Sequence, residues 1–272
     1  MRTKQKWLAG FCLVGLLITG SVWGNTALQV THYQIKQENL PSSFNHFRIV
    51  QLSDLHNAEF GQANRDLVTQ VREQKPDMIA LTGDLMDAYH PDIAVIRRLL
   101  PQLVKIAPCY YVTGNHEAAL RSRYTELVQL LKSHGVKLVA NQSQVISKGD
   151  EQILVTGRHD PRFSQSMPKV EKRKASLIIL LAHRPERFDE YVAEEANLVL
   201  SGHAHGGQVR IPFLGGLIAP NQGLLPQYDS GLFHKQETTM IVSRGLGNSI
   251  VPLRVNNRPE IVVVDLLNAN IE

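Results

Sequence analysis

The chain has 272 residues, of which 43% are hydrophobic and 20% are charged, so it is not a disordered chain. Its 29 basic and 25 acidic side chains give a net charge of +4, and Arg2, Lys4 and Lys6 supply most of it, which gives no support for a nucleic-acid partner. Two cysteines, Cys12 and Cys109, exclude a disulfide-rich scaffold and a cysteine-based zinc site.

Residues 1–24 have the pattern of a signal peptide or a membrane anchor. Residues 7–24 contain no charged side chain and follow a basic start. No clear Ala-x-Ala cleavage site follows, which favours an uncleaved anchor. Because the basic end of such a segment stays cytoplasmic, we expect residues 25–272 to form one membrane-anchored or exported domain on the extracytoplasmic side. A buried core helix is the alternative, and four glycines in this stretch weaken it.

Residues 25–272 alternate between short apolar runs and helical patterns. Predicted strands lie at 47–52, 78–82, 109–113, 153–156, 177–182, 198–201, 240–243 and 261–264. Several runs are apolar throughout, which predicts sheets covered on both faces. Apolar residues recur with helical spacing at 93–103 and 124–131, and Gly135 is placed to end the second helix. The sequence therefore predicts one α/β domain in which two sheets pack together with helices outside.

Polar residues follow the C-terminal ends of five of these runs. The motifs are Asp54-Leu55-His56, Gly83-Asp84, Gly114-Asn115-His116-Glu117, His183 and Gly202-His203-Ala204-His205. Loops at this end of an α/β sheet converge on one crevice. Residues two apart in an extended segment share a face, so each Asp-x-His or His-x-His pair is expected to aim two side chains at one point.

The motifs contain seven candidate metal ligands that carry carboxylate, amide or imidazole groups: Asp54, His56, Asp84, Asn115, His183, His203 and His205. Such a set suits Mn, Fe or Zn. Seven ligands are too many for one tetrahedral ion, but they can serve two neighbouring ions if the Asp84 carboxylate bridges them. Two cations about 3.5–4 Å apart can deprotonate a shared water and neutralise phosphoryl oxygens. The ligand set therefore predicts a phosphate ester hydrolase.

The ordered motifs resemble the calcineurin-like metallophosphoesterase family from residue 54 to residue 205. The resemblance implies a four-layer α/β/β/α sandwich. It also implies two ligand sets, which are Asp54, His56, Asp84 and His205 for one ion, and Asp84, Asn115, His183 and His203 for the other. His116 corresponds to the family's non-ligand histidine beside the substrate, which contacts the phosphate and can protonate the leaving oxygen.

Later stretches add detail to this resemblance. Residues 206–208, 243–247 and 257–260 resemble the membrane-associated or exported bacterial branch of the family. The sequence departs from the family at residues 158–160, where Arg-His-Asp replaces a Gly-x-Asp-Asp type of loop and leaves the substrate contacts open. Asp87 is interpreted as a solvated charge, and Glu117 as a residue that orients His116 or a ligand.

Residues 206–233 contain only Arg210 and Asp229 as charges. They are interpreted either as a long ordered loop with a buried strand pair or as an apolar lip that contacts lipid or an acyl chain.

The leading functional hypothesis is a dimetal phosphoesterase in which a metal-bridging hydroxide attacks phosphorus, with His116 and Asp84 as catalytic residues. Its substrate is a small-molecule or lipid phosphate ester, including nucleotide-linked lipids. A narrower alternative is the pyrophosphatase that cleaves UDP-2,3-diacylglucosamine in lipid A synthesis, because some family members catalyse that reaction. A non-enzymatic, metal-stabilised binding module of the envelope is a third alternative, although a degenerate member would be expected to lose ligands and this sequence keeps all seven.

Overall fold

Two six-stranded sheets make up the centre of the computed structural model, which describes residues 20, 23–163, 176–248 and 254–271. The strands are β1 (Gln29–Gln37), β2 (Phe47–Leu52), β3 (Met78–Thr82), β4 (Cys109–Val112), β5 (Lys137–Leu138), β6 (Ser143–Lys148), β7 (Glu151–Gly157), β8 (Ile178–Leu181), β9 (Leu198–Ser201), β10 (Arg210–Ile211), β11 (Gly215–Gly216), β12 (Ile218–Ala219), β13 (Gly223–Leu224), β14 (Gly231–Lys235), β15 (Thr238–Val242) and β16 (Glu260–Asn268). The α-helices are α1 (Arg65–Glu73), α2 (Ile93–Leu103), α3 (Asn115–Ala119), α4 (Ser122–Ser133) and α5 (Phe188–Ala193).

Parallel strands form the middle of both sheets. The first sheet has the order β1-β16-β2-β3-β4-β5, in which β2 to β5 run parallel and β16 runs antiparallel to β2. The second has the order β14-β15-β9-β8-β7-β6, in which β7, β8, β9 and β15 run parallel. Because parallel strands end at the same edge, each sheet delivers its βα loops to one side.

Alternating side chains of the strands divide the interior into three apolar layers. Val50, Ile79 and Tyr111 pack one face of the first sheet against α1, α2 and α4. The residues directly before or after these on the same strands, including Ile49 and Met78, face the second sheet. The outer face of the second sheet packs on α5. The layers therefore run helix, sheet, sheet, helix, as two sheets covered on both faces require.

The strongest sequence patterns correspond to the most buried elements. Strands β2, β3 and β9 and helix α2 have the predicted bounds, and α2 begins where the Asp92 side chain accepts a hydrogen bond from the amide of Ala94. The prediction missed β1, because its polar residues alternate along a sheet edge where most side chains stay partly exposed. It also missed α1, whose buried apolar residues are only Leu67, Val68 and Val71.

The predicted anchor at residues 1–24 lies almost entirely outside the described residues, so it stays a prediction. Within the part of the chain that the structure describes, no helix has both the length and the apolar character that are needed to cross a bilayer.

Candidate metal centre

The seven predicted ligands lie together where the two sheets deliver their loops. Each follows the C-terminal end of β2, β3, β4, β8 or β9, and all seven side chains are buried. The structure therefore places the predicted ligands at one site, and their roles as metal ligands stay a prediction.

One group of ligand atoms comes from the loops after β2 and β9. Asp54, His56 and His205 each offer an atom within 4.8 Å of the others. The Nε2 atoms of His56 and His205 face each other at 3.2 Å, and His205 Nε2 lies 3.5 Å from an Asp54 carboxylate oxygen. Two neutral imidazoles cannot both direct a lone pair at such a point without a shared proton or cation. The group fits a cation bound between them.

A second group comes from the loops after β3, β4, β8 and β9. Ligand atoms of Asp84, His183 and His203 lie within 4.8 Å of one another, and the amide oxygen of Asn115 lies 3.1 Å from His183 Nε2. His183 Nδ1 lies 2.8 Å from the carbonyl oxygen of Thr82, so it donates its proton there. Nε2 is therefore the nitrogen of His183 that points into the group, as the ligating nitrogen of a metal-bound histidine does.

The Asp84 carboxylate joins the two groups. Its Oδ2 atom lies 3.2 Å from His183 Nε2 and 3.6 Å from His56 Nε2. Its other oxygen accepts a hydrogen bond from the backbone amide of His116 at 2.8 Å, which holds the carboxylate in place. One carboxylate oxygen therefore faces both sets of imidazoles, as a bridging ligand must.

Left-handed backbone conformations position most of these ligands. Asp54, His56, Asp84, His203 and His205 have φ angles between 46° and 68°. Each such non-glycine residue costs of order 1–2 kcal/mol, and strain of this kind clusters at functional sites. The expectation that the paired ligands lie in extended segments was wrong. They converge because the chain turns sharply at each of them.

Two glycines allow the loops to approach closely. A methyl group on Gly114 would lie 2.1 Å from an Asp84 carboxylate oxygen, and one on Gly202 would lie 2.3 Å from an Asp54 carboxylate oxygen. Any larger residue at either position would displace a predicted ligand.

The electrostatics of the centre favour a bound cation. Burial opposes ionisation of Asp84, but the imidazoles of His183 and His56 hold its pKa well below the usual range. Burial lowers the pKa of His183, and the Asp84 carboxylate more than offsets this and raises it to about 10. Burial and neighbouring positive groups lower the pKa values of His203 and His205, which keeps both neutral. The neutral rings of His203 and His205 and the ionised Asp84 carboxylate have the protonation states that metal binding requires, and a bound cation would replace the proton of His183.

Glu117 holds the loop that carries Asp84. Its buried carboxylate accepts hydrogen bonds from the backbone amides of Asp84 at 2.8 Å, Gly114 at 2.7 Å and Leu85 at 2.7 Å. Burial and the Asp84 charge raise its pKa to about 7. Glu117 thus fixes the backbone of a predicted ligand, whereas the sequence left open whether it orients His116 or a ligand.

The variant Glu117→Gln is expected to be less stable than the wild type and to bind metal more weakly. Its amide NH₂ would face a backbone donor, and each unsatisfied buried group costs about 1–3 kcal/mol. Because Glu117 supports a ligand, we expect metal affinity to fall by about 10–100-fold. Thermal unfolding and metal titration measure both effects. Glu126→Gln, on the surface beside Arg97, is the control, and equal behaviour of the two variants would contradict the assignment.

Asp87 was wrongly interpreted as a solvated charge. It is 8% exposed, and one carboxylate oxygen lies 3.6 Å from Nδ1 of both His56 and His116. Burial opposes its ionisation, but the nearby His56 ring and the hydrogen bonds from the amides of His90 and Tyr89 lower its pKa to about 2. Asp87 is therefore an anion that lies beside a predicted ligand and beside the predicted acid.

His116 lines the cavity next to the metal centre. Its Nδ1 atom accepts a hydrogen bond from the amide of Ala88 at 2.9 Å. The neutral ring therefore carries its proton on Nε2. Burial lowers its pKa, which favours the neutral form of the ring. The Nε2–H group of this tautomer can donate a hydrogen bond to a phosphate oxygen.

The cavity has a volume of about 230 Å³ and is lined by predicted site residues together with Tyr89, Arg162, Pro220 and Asn221. Tyr89 is 66% exposed, and its ring meets that of His116 edge-on at 5.7 Å. The motif spacing gives no signal for these four residues, because they lie on irregular loops.

Asn221, which is exposed on the wall of the cavity, belongs to a polar network beside His203. Its amide oxygen accepts a hydrogen bond from Arg184 at 2.7 Å and lies 3.1 Å from His203 Nε2. Arg184 also pairs with Asp160, and Arg158 pairs with Glu194. The basic loop at residues 158–160, where the sequence departs from the family pattern, is thus neutralised by internal ion pairs.

Comparisons with known proteins agree with this geometry. The profile of the Calcineurin-like phosphoesterase family matches residues 47–207. The chain is 31% identical to the uncharacterized metallophosphoesterase YkuE of Bacillus subtilis, over 99% of this chain and 98% of that protein. It is 32% identical to the phosphodiesterase YaeI of Escherichia coli, over 81% and 82% of the two chains. The sulfate thiohydrolase SoxB of Thermus thermophilus shares the fold, with a TM-score of 0.50, 14% identity, and coverage of 85% of this chain and 58% of that one. The chain therefore belongs to the calcineurin-like phosphoesterase family of metal-dependent phosphoric ester hydrolases.

Proposed function

We propose that this chain hydrolyses phosphate esters at a centre of two divalent ions, one held by Asp54, His56, Asp84 and His205 and the other by Asp84, Asn115, His183 and His203. The position of Asp84 Oδ2 between the two groups of imidazoles is the observation that carries this proposal. When bound, two such ions deprotonate a shared water and neutralise the oxygens of the phosphoryl group.

The side chains around the cavity have separate tasks in this proposal. His116 donates the Nε2 proton of its imidazolium form to the leaving oxygen and returns to the neutral ring. In the imidazolium form Nδ1 carries a proton that faces the Asp87 carboxylate at 3.6 Å, and it accepts the hydrogen bond from the amide of Ala88 only in the neutral form. Asp87, held by two backbone amides, fixes the orientation of the rings of His56 and His116. Arg162 lines the cavity and supplies positive charge for an anionic substrate.

Removal of metal is expected to abolish hydrolysis and to destabilise the protein. A ligand present at 100 times its dissociation constant stabilises the folded state by about 2.7 kcal/mol, and this is lost with the ions. Hydrolysis of bis(p-nitrophenyl) phosphate before and after chelation, with metal analysis and thermal unfolding, measures the effect. Re-addition of Mn, Fe or Zn restores turnover and identifies the metal. Full turnover by protein that contains no metal would refute the proposal.

We further propose a lipid or nucleotide-lipid phosphate ester as the substrate, on a membrane-anchored or exported chain with its catalytic domain on the extracytoplasmic side. The uncharged run at residues 7–24 and the weakly charged stretch 206–233 support this proposal. Assay of phosphomonoesters, phosphodiesters and lipid phosphates separates these classes, and release of UMP from UDP-2,3-diacylglucosamine identifies the narrower pyrophosphatase. Protease accessibility of the domain in intact cells tests its location.

A further inference from the structure

Two short β-hairpins beside the cavity expose an unusual number of large apolar side chains. The first joins β10 to β11 and the second joins β12 to β13. Phe213 is fully exposed at the tip of the first, and the exposed fractions of Leu214, Leu224 and Leu225 are 58%, 72% and 55%. Ile218 faces Leu224 across the second hairpin and is 48% exposed. These five side chains define the hairpin patch. Residues 206–233 form no buried strand pair here, because the side chains of these hairpins are largely exposed.

Folding alone does not explain the hairpin patch. Phe213 has a φ of 66° and Leu225 a φ of 51°, a left-handed conformation that glycine or asparagine adopts with less strain. An exposed aromatic or aliphatic side chain at such a position adds the free-energy cost of backbone strain, and its burial does not offset that cost. Large exposed apolar side chains concentrated on two consecutive hairpins mark a site of interaction with a protein or a membrane.

The two charged side chains of this region pair with each other and offer little attraction for a charged partner. Arg210 and Asp229, the two charged residues of segment 206–233, pair with each other at 2.8 Å. Arg210 also donates a hydrogen bond to the carbonyl of Gly206. The pair therefore neutralises itself at the base of the hairpins, which favours an apolar partner over a charged one.

The hairpin patch adjoins the mouth of the cavity. Pro220 and Asn221 line the cavity and lie in the turn between Ile218 and Leu224. The amide of Leu217, between the hairpins, donates a hydrogen bond to the carbonyl of Gly207, two residues after the predicted ligand His205. A surface that covers the patch would thus lie beside the site of hydrolysis.

The uncharged N-terminal stretch reaches the described part of the protein next to the hairpins. The side chain of Asn25 accepts a hydrogen bond from the amide of Arg254 at 3.2 Å. The adjacent Val255 is 45% exposed, and its carbonyl accepts a hydrogen bond from the amide of Arg210 in the first hairpin. Asn25, which directly follows the uncharged run 7–24 in the sequence, therefore lies on the side that carries the patch.

We propose that the hairpin patch inserts into the acyl region of a lipid bilayer and holds the mouth of the cavity at the membrane surface. Apolar tips, a self-neutralised base and an adjoining uncharged segment together fit a bilayer better than the surface of a soluble partner. The insertion itself does not depend on catalysis. The further consequence that the cavity takes phosphate esters of lipids rests on the proposed function.

Spin labels on the full-length chain in vesicles test this insertion. In a Cys12→Ser background the remaining Cys109 is buried, so a single new cysteine takes the label. Phe213→Cys and Leu224→Cys place labels on the two hairpins. Asp150→Cys is the control, because Asp150 is exposed in the turn before β7, at the opposite end of that strand from the metal centre. The labelled protein is bound to vesicles of phosphatidylcholine and phosphatidylglycerol. Collisions of the label with a water-soluble nickel complex report water around it, and collisions with oxygen report acyl chains.

We expect the labels at 213 and 224 to lose collisions with the nickel complex and to gain collisions with oxygen, while the label at 150 stays in water. Equal nickel accessibility at all three positions would overturn the proposal. Protection that appears only at high protein density, with spin–spin broadening, would assign the patch to a second copy of the chain and would also overturn it.

A matched variant separates membrane contact from folding. Phe213→Asn with Leu225→Asn relieves the left-handed strain and is expected to keep or raise thermal stability. The label at 224 is expected to regain nickel accessibility in this variant, while hydrolysis of the soluble bis(p-nitrophenyl) phosphate is unchanged. Continued protection at 224 would overturn the role of the tips. A wild type without hydrolytic activity but with protected labels would refute the proposed function alone.

Discussion

The variant Asp84→Ala is expected to bind fewer than two metal ions per chain and to lose more than about 100-fold in turnover. A loss of about 100-fold is the largest that is typical for residues that only hold a metal ligand in place, and Asp84 is itself a predicted ligand. The reason is the position of this carboxylate, because one oxygen faces His56 at 3.6 Å and His183 at 3.2 Å. Its removal weakens both ion sites and leaves the imidazoles around it without a counter-charge. Metal analysis and hydrolysis of bis(p-nitrophenyl) phosphate measure both effects.

Asp189→Asn is the control for the loss of a carboxylate charge. Asp189 lies on the surface, where its side chain is 74% exposed and pairs with Lys235, so both metal content and turnover should stay at the wild-type level. Thermal unfolding of both variants shows whether each is folded. A folded Asp84→Ala protein that keeps two ions and full turnover would remove the bridging carboxylate from the mechanism.

The variant His116→Gln is expected to lose about 10²–10⁴-fold in kcat, the range that a positioned proton donor contributes. KM should change less, because the metal ligands remain in place. The loss should be larger for an alkyl leaving group than for p-nitrophenolate, which departs readily without a proton. Comparison of the two substrates measures the proton transfer itself, since a merely structural defect would slow both equally.

His90→Gln is the matched control for His116. The His90 side chain is 94% exposed, although its backbone amide also bonds to Asp87. We expect its kinetics to match those of the wild type with both substrates. Equal losses with alkyl and aryl leaving groups in His116→Gln would exclude proton donation and leave only a contact with the phosphate.

The sequence predicted the elements and residues that follow from local pattern. Continuous apolar runs such as β3 and β9 are buried on both faces, so composition alone locates them. The site motifs could be found because each directly follows such a run. An edge strand such as β1 escaped prediction, because its sequence reflects solvent on one side and carries polar residues that also suit a loop.

The backbone of the site and the walls of its cavity could not be predicted in the same way. Left-handed angles at Asp54 and His205 depend on where neighbouring loops force the chain to turn, and side-chain spacing does not encode this. Tyr89, Arg162 and Asn221 come together from three distant loops without periodicity. Asp87 reads as an ordinary surface acid until the loop folds over it and places it beside two imidazoles.

The place of β16 in the first sheet sets an order for the maturation of this protein. Residues 260–268 pair with β1 on one side and with β2 on the other. Because the ribosome supplies β16 after the other strands named above, β1 has no neighbour in the sheet, and β2 has only β3, until residues 260–268 have been made. Contacts so distant in sequence also form slowly. The first sheet therefore stays open at its β1 edge until β16 is added, which makes this edge the last part of the sheet to close.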